Sequence, residues 1–400
     1  MCAQPTAAAA GTTEIGGDLT VNRMGFGAMR ITGRGVWGEP PSHDQAIATL
    51  RRVVELGVNF IDTADSYGPS VSEELIAEAL HPYPDDLVIA TKGGLARPGP
   101  NRWTPDGRPE HLREACEGSL RRLRLEQIPL WQFHRPDPKV PLAESIGAIA
   151  ELKDEGKIRH VGISNVSETQ LREAERIIPI VSIQNRFNVT DRDSEPLIDL
   201  CEQEDMVFLP WAPIQQADRR AAVAVAAKKR GATERQIVLA WLLASSPAIL
   251  PIPGTGSPEH AEENVAATAI ELSRDEMEAI SKGGLSRANA RGVRTGPDRP
   301  QGSGTAVLTN NIFACGLVRA SAVAADAVDR RRARCREDYP SRGVCPGRMT
   351  CHRTRSTYGP AITRRGCPPA TRLTSSWPGS HGCRGSGRSG CHATWTATPR

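Results

Sequence analysis

A closed barrel of eight parallel strands, each followed by a helix (the (β/α)8 or TIM-barrel class of α/β fold), is expected for most of this chain on three observations. Short apolar runs alternate eight times with helical patterns. The alternation occupies about the ~250 residues typical of that class. The runs are apolar without strict alternation, as parallel strands covered on both faces by helices should be. An open, doubly wound sheet is the competing arrangement.

Taken in order, residues 12–22 alternate around Gly16-Gly17-Asp18 and predict a small N-terminal β-hairpin. A short buried strand over 24–27 follows. Gly25-Phe26-Gly27-Ala28-Met29-Arg30 begins like a dinucleotide fingerprint, but Arg30 stands in place of the third glycine and no helical pattern opens there. Ile47, Leu50, Val53 and Val54 share one helical face, with Gly57 as the stop. Strand two is expected at 58–62, then a helix carrying Leu75, Ile76, Ala79 and Leu80. Strand three at 87–92 precedes a basic-faced helix over 109–124. Strand four at 128–133 precedes a helix bearing Leu142, Ile146, Ile149 and Ala150 that ends at Gly156.

Strand five is placed at 158–163, and Ser167-Glu168-Thr169-Gln170 reads as a capping box opening the next helix. Strand six at 181–184 and a helix over 193–204 come next, then strand seven at 207–210. Two helices follow at 219–230 and 234–244, the second apolar almost all round and therefore buried. Strand eight is expected at 249–252, and Ser273-Arg274-Asp275-Glu276 caps a final helix. The domain reading is a flexible N-terminus over 1–12, the barrel over 13–284, and a largely disordered tail over 285–400.

Charge marks the last boundary. The net charge of +4 divides into +15 beyond residue 284 (20 Arg, no Lys, 5 acidic) and −11 before it (30 basic against 41 acidic). Cys2, Cys116 and Cys201 lie in the first part and seven cysteines in the second. Three scattered cysteines suit a reducing compartment. The first basic residue is Arg23, so no charged n-region of a signal peptide is present. No apolar run approaches the ~20 residues of a membrane span, and a soluble cytoplasmic protein is expected. In the tail Arg, Gly, Pro, Ser, Thr and Cys dominate and periodicity vanishes, the signature of disorder. No Cys-x-x-Cys pair is present there, which argues against a zinc or nucleic-acid module and leaves no metal site assigned. The composition matches a GC-rich reading frame translated out of phase.

In such a barrel the chemistry sits at the carboxyl ends of the strands. Those ends carry Asp62, Lys92, His134, Ser164-Asn165, Gln184, Trp211 and Gly254-Thr255, with Tyr67 on the loop after Asp62. A phenol near pKa ~10 is a weak acid at neutral pH. A neighbouring ammonium, Lys92, is expected to lower that value, with Asp62 pairing the ammonium and His134 binding a carbonyl or relaying a proton. Bland readings stand beside these: a satisfied core histidine, a packing tryptophan at 211, a plain turn at Ser164-Asn165, and surface-loop anchors at Trp37 and Trp103.

Asp62-Thr63-Ala64-Asp65-Ser66-Tyr67-Gly68, Thr91-Lys92-Gly93, His134-Arg135-Pro136-Asp137, Gly162-Ile163-Ser164-Asn165 and Ile252-Pro253-Gly254-Thr255 together resemble the aldo/keto reductase family across residues 13–284. Gly25-Phe26-Gly27-Ala28-Met29, Gly35-Val36-Trp37-Gly38 and Ala64-Asp65-Ser66-Tyr67-Gly68-Pro69 are most similar to its bacterial pyridoxal reductase (pyridoxine 4-dehydrogenase) branch. The resemblance implies an NADPH-dependent oxidoreductase, with NADH as the alternative cofactor. It would pass hydride to a small-molecule aldehyde or ketone, pyridoxal among the candidates. Tyr67 would be the proton donor, assisted by Asp62, Lys92 and His134. It further implies cofactor contacts from Gly27, Ala28, Met29, Asp62, Ser164, Asn165, Gln184, Trp211 and Pro213. Gly254, Thr255, Ser257, His260, Glu263 and Asn264 would hold the adenosine end, and Trp37 and Trp103 would lie over the substrate. Many members of the family carry Lys at the position of Gly254 and Arg at that of His260, so two cationic contacts are missing. The segment 215–220 is short for a cofactor-clasping loop, which implies fast cofactor exchange. A non-turnover NADP(H)-binding regulatory subunit is the alternative function, and nucleic-acid binding through the tail is a third.

Overall fold

A computed structural model of the protein describes residues 5–282, and the expected tail lies outside them. The elements in order are β1 (Thr12–Ile15), β2 (Leu19–Asn22), β3 (Phe26–Gly27), α1 (His43–Glu55), β4 (Phe60–Asp62), α2 (Val71–Leu80) and β5 (Val88–Gly93). Next come β6 (Leu95–Gly99), β7 (Arg102–Pro105), α3 (Pro109–Leu123), β8 (Ile128–Phe133), α4 (Leu142–Asp154), β9 (Ile158–Ser164), α5 (Glu168–Glu175), β10 (Ser182–Gln184) and α6 (Glu195–Gln203). The last are β11 (Val207–Phe208), α7 (Ala221–Arg230), α8 (Glu234–Ser245), α9 (Pro258–Ala266) and α10 (Arg274–Lys282).

Seven strands form one parallel sheet in the order β11–β10–β9–β8–β5–β4–β3. The eighth staff of the cylinder is residues 249–253, where the sequence predicts a strand and no regular ladder forms. Pro251 and Pro253 have no N–H to donate, so that side of each pairing is lost. The barrel closes all the same. Phe208 N–H donates to Ala248 O (2.8 Å) and Leu250 N–H to Phe208 O (2.9 Å), while Gly25 N–H donates to Pro251 O (2.9 Å) and Gly27 N–H to Pro253 O (3.3 Å).

Strand parity sorts the side chains. Phe60, Val88, Ala90, Leu130, Val207, Leu209, Leu250 and Ile252 form an apolar plug inside the barrel, joined by Ile15, Leu19 and Val21 of the β1–β2 hairpin. The hairpin therefore seals the amino-terminal end, and Asp18 in its turn pairs with Arg159 and His160 (both 2.6 Å) at the start of β9. Residues of opposite parity, such as Ile61, Ile89, Trp131 and Ile163, face the helices in a second buried layer. Moving along each strand in steps of two brings Asp62, Lys92, Gln132 and Gln184 onto the inner face. That step fixes where the chemistry sits.

Both capping boxes on α5 and α8 are complete, from Ser167 with Gln170 and Thr233 with Gln236. Within the segment expected to be flexible, Ala7–Ala10 is a 3-10 turn. Ala7 is fully buried and its N–H donates to Leu56 O (2.9 Å), a contact that sequence periodicity does not reveal. Among the described residues no helix is long and apolar enough to cross a membrane.

Candidate active site

At the carboxyl end of the barrel, β4 ends in Asp62 and β5 presents Lys92, both almost wholly buried. The Lys92 ammonium donates to Asp62 Oδ2 (2.7 Å), to Thr63 O (2.8 Å) and to Tyr67 Oη (3.5 Å). The other carboxylate oxygen of Asp62 accepts from the amides of Gln132 (3.0 Å) and Gln184 (2.9 Å). A buried carboxylate is tolerable only with such partners.

Tyr67 lies on a tightly wound loop. Asp65 N–H donates to Lys92 O (3.1 Å), Tyr67 N–H to Ala64 O (3.1 Å) and Ser70 N–H to Asp65 O (2.7 Å). Its ring meets His134 edge-on at 5.9 Å and Trp103 at 6.2 Å. His134 Nδ1 faces Ser66 Oγ at 3.4 Å.

Burial and charge set the protonation states. Burial raises the Tyr67 phenol above its usual value, and the pull of Lys92 in the opposite direction offsets only part of that. The net direction is the reverse of the sequence expectation, because the sequence shows the ammonium but not the depth of the phenol. Burial disfavours the Lys92 ammonium, yet Asp62 and Tyr67 outweigh it and hold its pKa above the ordinary. Burial, then Lys92, Arg135 and Arg97, push His134 well below the usual imidazole range, so it is neutral at pH 7.

Asn165 ties the next strand end to this group. Its amide donates to His134 O (3.1 Å) and Ser164 Oγ (2.9 Å), and its oxygen accepts from Trp211 Nε1 (3.2 Å). Ser164 Oγ donates to Gln184 O (2.7 Å). Gln184, expected on a nicotinamide carboxamide, has its amide nitrogen donating to Asp62 Oδ1 and to Gln132 Oε1 (3.4 Å), leaving its oxygen for a ligand. Pro213 is buried nearby in sequence on the loop after β11.

A second group surrounds the end of β3. A Cβ on Gly27 would lie 2.7 Å from Ile252 O, and one on Gly254 would lie 2.5 Å from Gly27 O. The two glycines let the backbones touch, and a Lys at 254 would force them apart. The missing cation has a neighbour instead: the Arg30 side chain lies against Gly254, its Cγ 3.6 Å from that Cβ position. Ala28 is buried and Met29 packs on Ala64 and Tyr67, linking this group to the first. The bare Gly27–Gly254 seam, Thr255, the Ser257-capped start of α9 and Arg30 fit the phosphates of a dinucleotide. Among the expected adenosine contacts, Ser257 Oγ accepts from His260 N–H (3.3 Å), Glu263 accepts from Thr233 Oγ1 (2.6 Å), and Asn264 is buried.

Three residues escape the sequence reading. Gln132 shares the parity of Leu130 and His134, which was the available signal. Arg30 reads in the sequence only as a misfit in a glycine pattern. Arg97 belongs to the β6–β7 hairpin, to which the sequence reading assigns no element. The positive φ of Asn101 (54°) at its turn and the pairing of Leu95 with Pro105 define it. Trp37 and Trp103 are each 37% exposed, with the Arg97 guanidinium 5.8 Å and 3.6 Å from their ring centres.

Residues 23–283 match the aldo/keto reductase family. The chain belongs to that family. It is 50% identical over 283 residues to an uncharacterized oxidoreductase of Schizosaccharomyces pombe, covering 70% of this chain and 92% of that one. It is 38% identical over 280 residues to pyridoxine 4-dehydrogenase of Escherichia coli K12, covering 68% and 97%. An aldo/keto reductase from Klebsiella pneumoniae solved in complex with NADPH is similar over 68% of this chain and 94% of that one, at 27% identity and a TM-score of 0.58. Aldo/keto reductases use NADP(H), and this chain is an oxidoreductase of that kind.

Proposed function

We propose that the protein reduces a small aldehyde or ketone to its alcohol, with Tyr67 as proton donor. The observation that carries this reading is the placement of Lys92 Nζ between Asp62 Oδ2 (2.7 Å) and Tyr67 Oη (3.5 Å) at the barrel mouth. Bound NADPH supplies a hydride from C4 of its nicotinamide. The buried phenol keeps its proton at neutral pH and gives it up only to a strong base, and an alkoxide forming on the substrate is one. Lys92 then lies beside the phenolate left behind, and Asp62 balances the ammonium. Neutral His134, with Nδ1 toward Ser66, leaves Nε2 as the ring nitrogen for the carbonyl oxygen. Ser164, Asn165, Trp211 and the Gly27–Gly254 seam are the residues we assign to the cofactor. Residues 13–284 carry the activity, in the cytoplasm.

Pyridoxal is the first substrate to try, since a relative at 38% identity is named for pyridoxine oxidation. The test is NADPH absorbance with the full-length chain, pyridoxal and a series of aldehydes. Turnover in the native protein and a fall of about 100- to 10,000-fold in kcat for Tyr67→Phe, with NADPH still bound, is the expected result. A Tyr67→Phe variant that turns over at the native rate sinks the proposal. NADPH binding without turnover of any carbonyl would instead favour a regulatory subunit.

A further inference from the structure

Arg97 is a half-buried guanidinium with no carboxylate within ion-pairing distance among the described residues. Three neutral carbonyls hold it: Nε donates to Arg102 O (2.9 Å), one terminal nitrogen to Ser66 O (2.7 Å) and the other to Gly35 O (3.0 Å). One face is stacked on Trp103 at 3.6 Å, and Trp37 flanks it at 5.8 Å. Three contacts do not exhaust the five N–H groups of the fork, and the side chain reaches solvent.

Its surroundings place this charge beside the loop that carries Tyr67. The Trp103 ring packs edge-on against both Tyr67 (6.2 Å) and His134 (6.4 Å), and Arg97 holds the carbonyl of Ser66, the residue before Tyr67. The charges around it leave it uncompensated. Lys92 is matched by Asp62 and His134 is neutral. Taking a guanidinium partly out of water without an anion is costly, and the burial already disfavours its charged form. A planar fork, fixed by backbone and stacked on an indole, is the form in which Arg reads a carboxylate or phosphate.

We infer that Arg97 is an anion-binding residue of the substrate pocket, and that the preferred carbonyl substrates carry a carboxylate or phosphate on an apolar body seated against Trp37 and Trp103. This rests on the reductase reading and adds the substrate's second recognition group. Arg97 also orders the backbone at Gly35 and Ser66, so loss of activity on its substitution would by itself say nothing about charge. A ratio between isosteres does.

The experiment compares kcat/KM of the full-length protein with NADPH for 4-carboxybenzaldehyde, 4-formylphenyl phosphate and the neutral methyl 4-formylbenzoate. The expected result is a preference of about tenfold or more for at least one anionic aldehyde, mostly in KM, since charge-assisted contacts to Arg are strong ones. The preference shrinks with added salt and collapses toward unity in Arg97→Gln. The carboxylate and phosphate arms identify which anion fits. Equal kcat/KM for anionic and neutral aldehydes in the native protein, or a preference that survives in Arg97→Gln, overturns the inference. Should Arg97→Gln fail to fold, the native ratio and its salt dependence decide alone. Should no aldehyde oxidise NADPH, the reductase reading falls by itself, and fluorescence titration with benzoate against benzamide tests Arg97 separately. Tighter benzoate binding that weakens with salt supports the site, and equal binding overturns it.

Discussion

Asp65, two residues before the phenol proposed as proton donor, holds a proton that the unfolded chain would lose. Burial, with the charge of Glu73 adding to it and Arg122 opposing, raises its carboxyl from 3.8 to about 8. Its Oδ1 is sealed from solvent with no hydrogen-bond partner. Between those two pH values the native state binds more protons than the unfolded state, so this group makes stability fall as pH rises from about 4 to 8. Asp65→Asn removes the ionisation. The advantage of the variant over the native protein should grow by about 1.4 kcal/mol for each pH unit between pH 5 and pH 8, as read by urea unfolding at the two pH values. A gain of equal size at both would show that charge is not the cause. The same scale separates what sequence reading reaches at this site. The residue types at 62, 67, 92 and 134 announce a proton-transfer set, but the sign of the phenol's shift depends on its burial, with Trp103 and His134 among the rings around it. Those neighbours come from other strands and loops.

Elements were legible where local chemistry decides them, as the Ser167–Gln170 box opening α5 shows, and α8 opens on a like cap to which the sequence reading gives no mention. Thr233 accepts from Gln236 N–H (3.2 Å) and the Gln236 side chain returns to the Thr233 N–H (3.0 Å), closing the cap that opens α8. Thr233 also donates to Glu263 of α9, so one hydroxyl joins two helices. Thr233→Ala should cost about 1 kcal/mol, within the ordinary range for a lost cap, measured as a lower urea midpoint with unchanged slope. A change in slope would mean that α8 itself had come loose. The β6–β7 hairpin shows the opposite case. Residues 95–105 carry Pro98, Pro100 and Pro105 and no clear alternation, and their antiparallel pairing is irregular between Ala96 and Gly99. Arg97 is fixed there by Ser66 O and Gly35 O, partners 31 and 62 residues away. No local pattern encodes such a contact.

At the scale of the molecule, the barrel is closed between β3 and residues 249–253 without a regular ladder. The seam relies on two hydrogen bonds donated by Gly25 and Gly27, because the prolines opposite cannot donate in return. Gly27→Ala would bring a methyl group to 2.7 Å from Ile252 O, against backbone on both sides. A loss of about 1–3 kcal/mol is expected from such overpacking, together with weaker NADPH binding as the Gly254 loop moves, both measurable by unfolding and by fluorescence titration. Unchanged binding would separate the seam from the cofactor site. The sequence by itself determined the order of seven parallel strands and an eighth extended staff, and the end of the cylinder at which Asp62, Lys92 and His134 would meet. It could do so because a two-residue period and a helical period are local properties of the chain. Only the tertiary structure decided that Gln132 and Gln184 share the Asp62 carboxylate, that Arg30 lies beside Gly254, and that Arg97 is held by Ser66 O and Trp103. Each of those depends on distances across the closed barrel or between its loops, which no stretch of neighbouring residues contains.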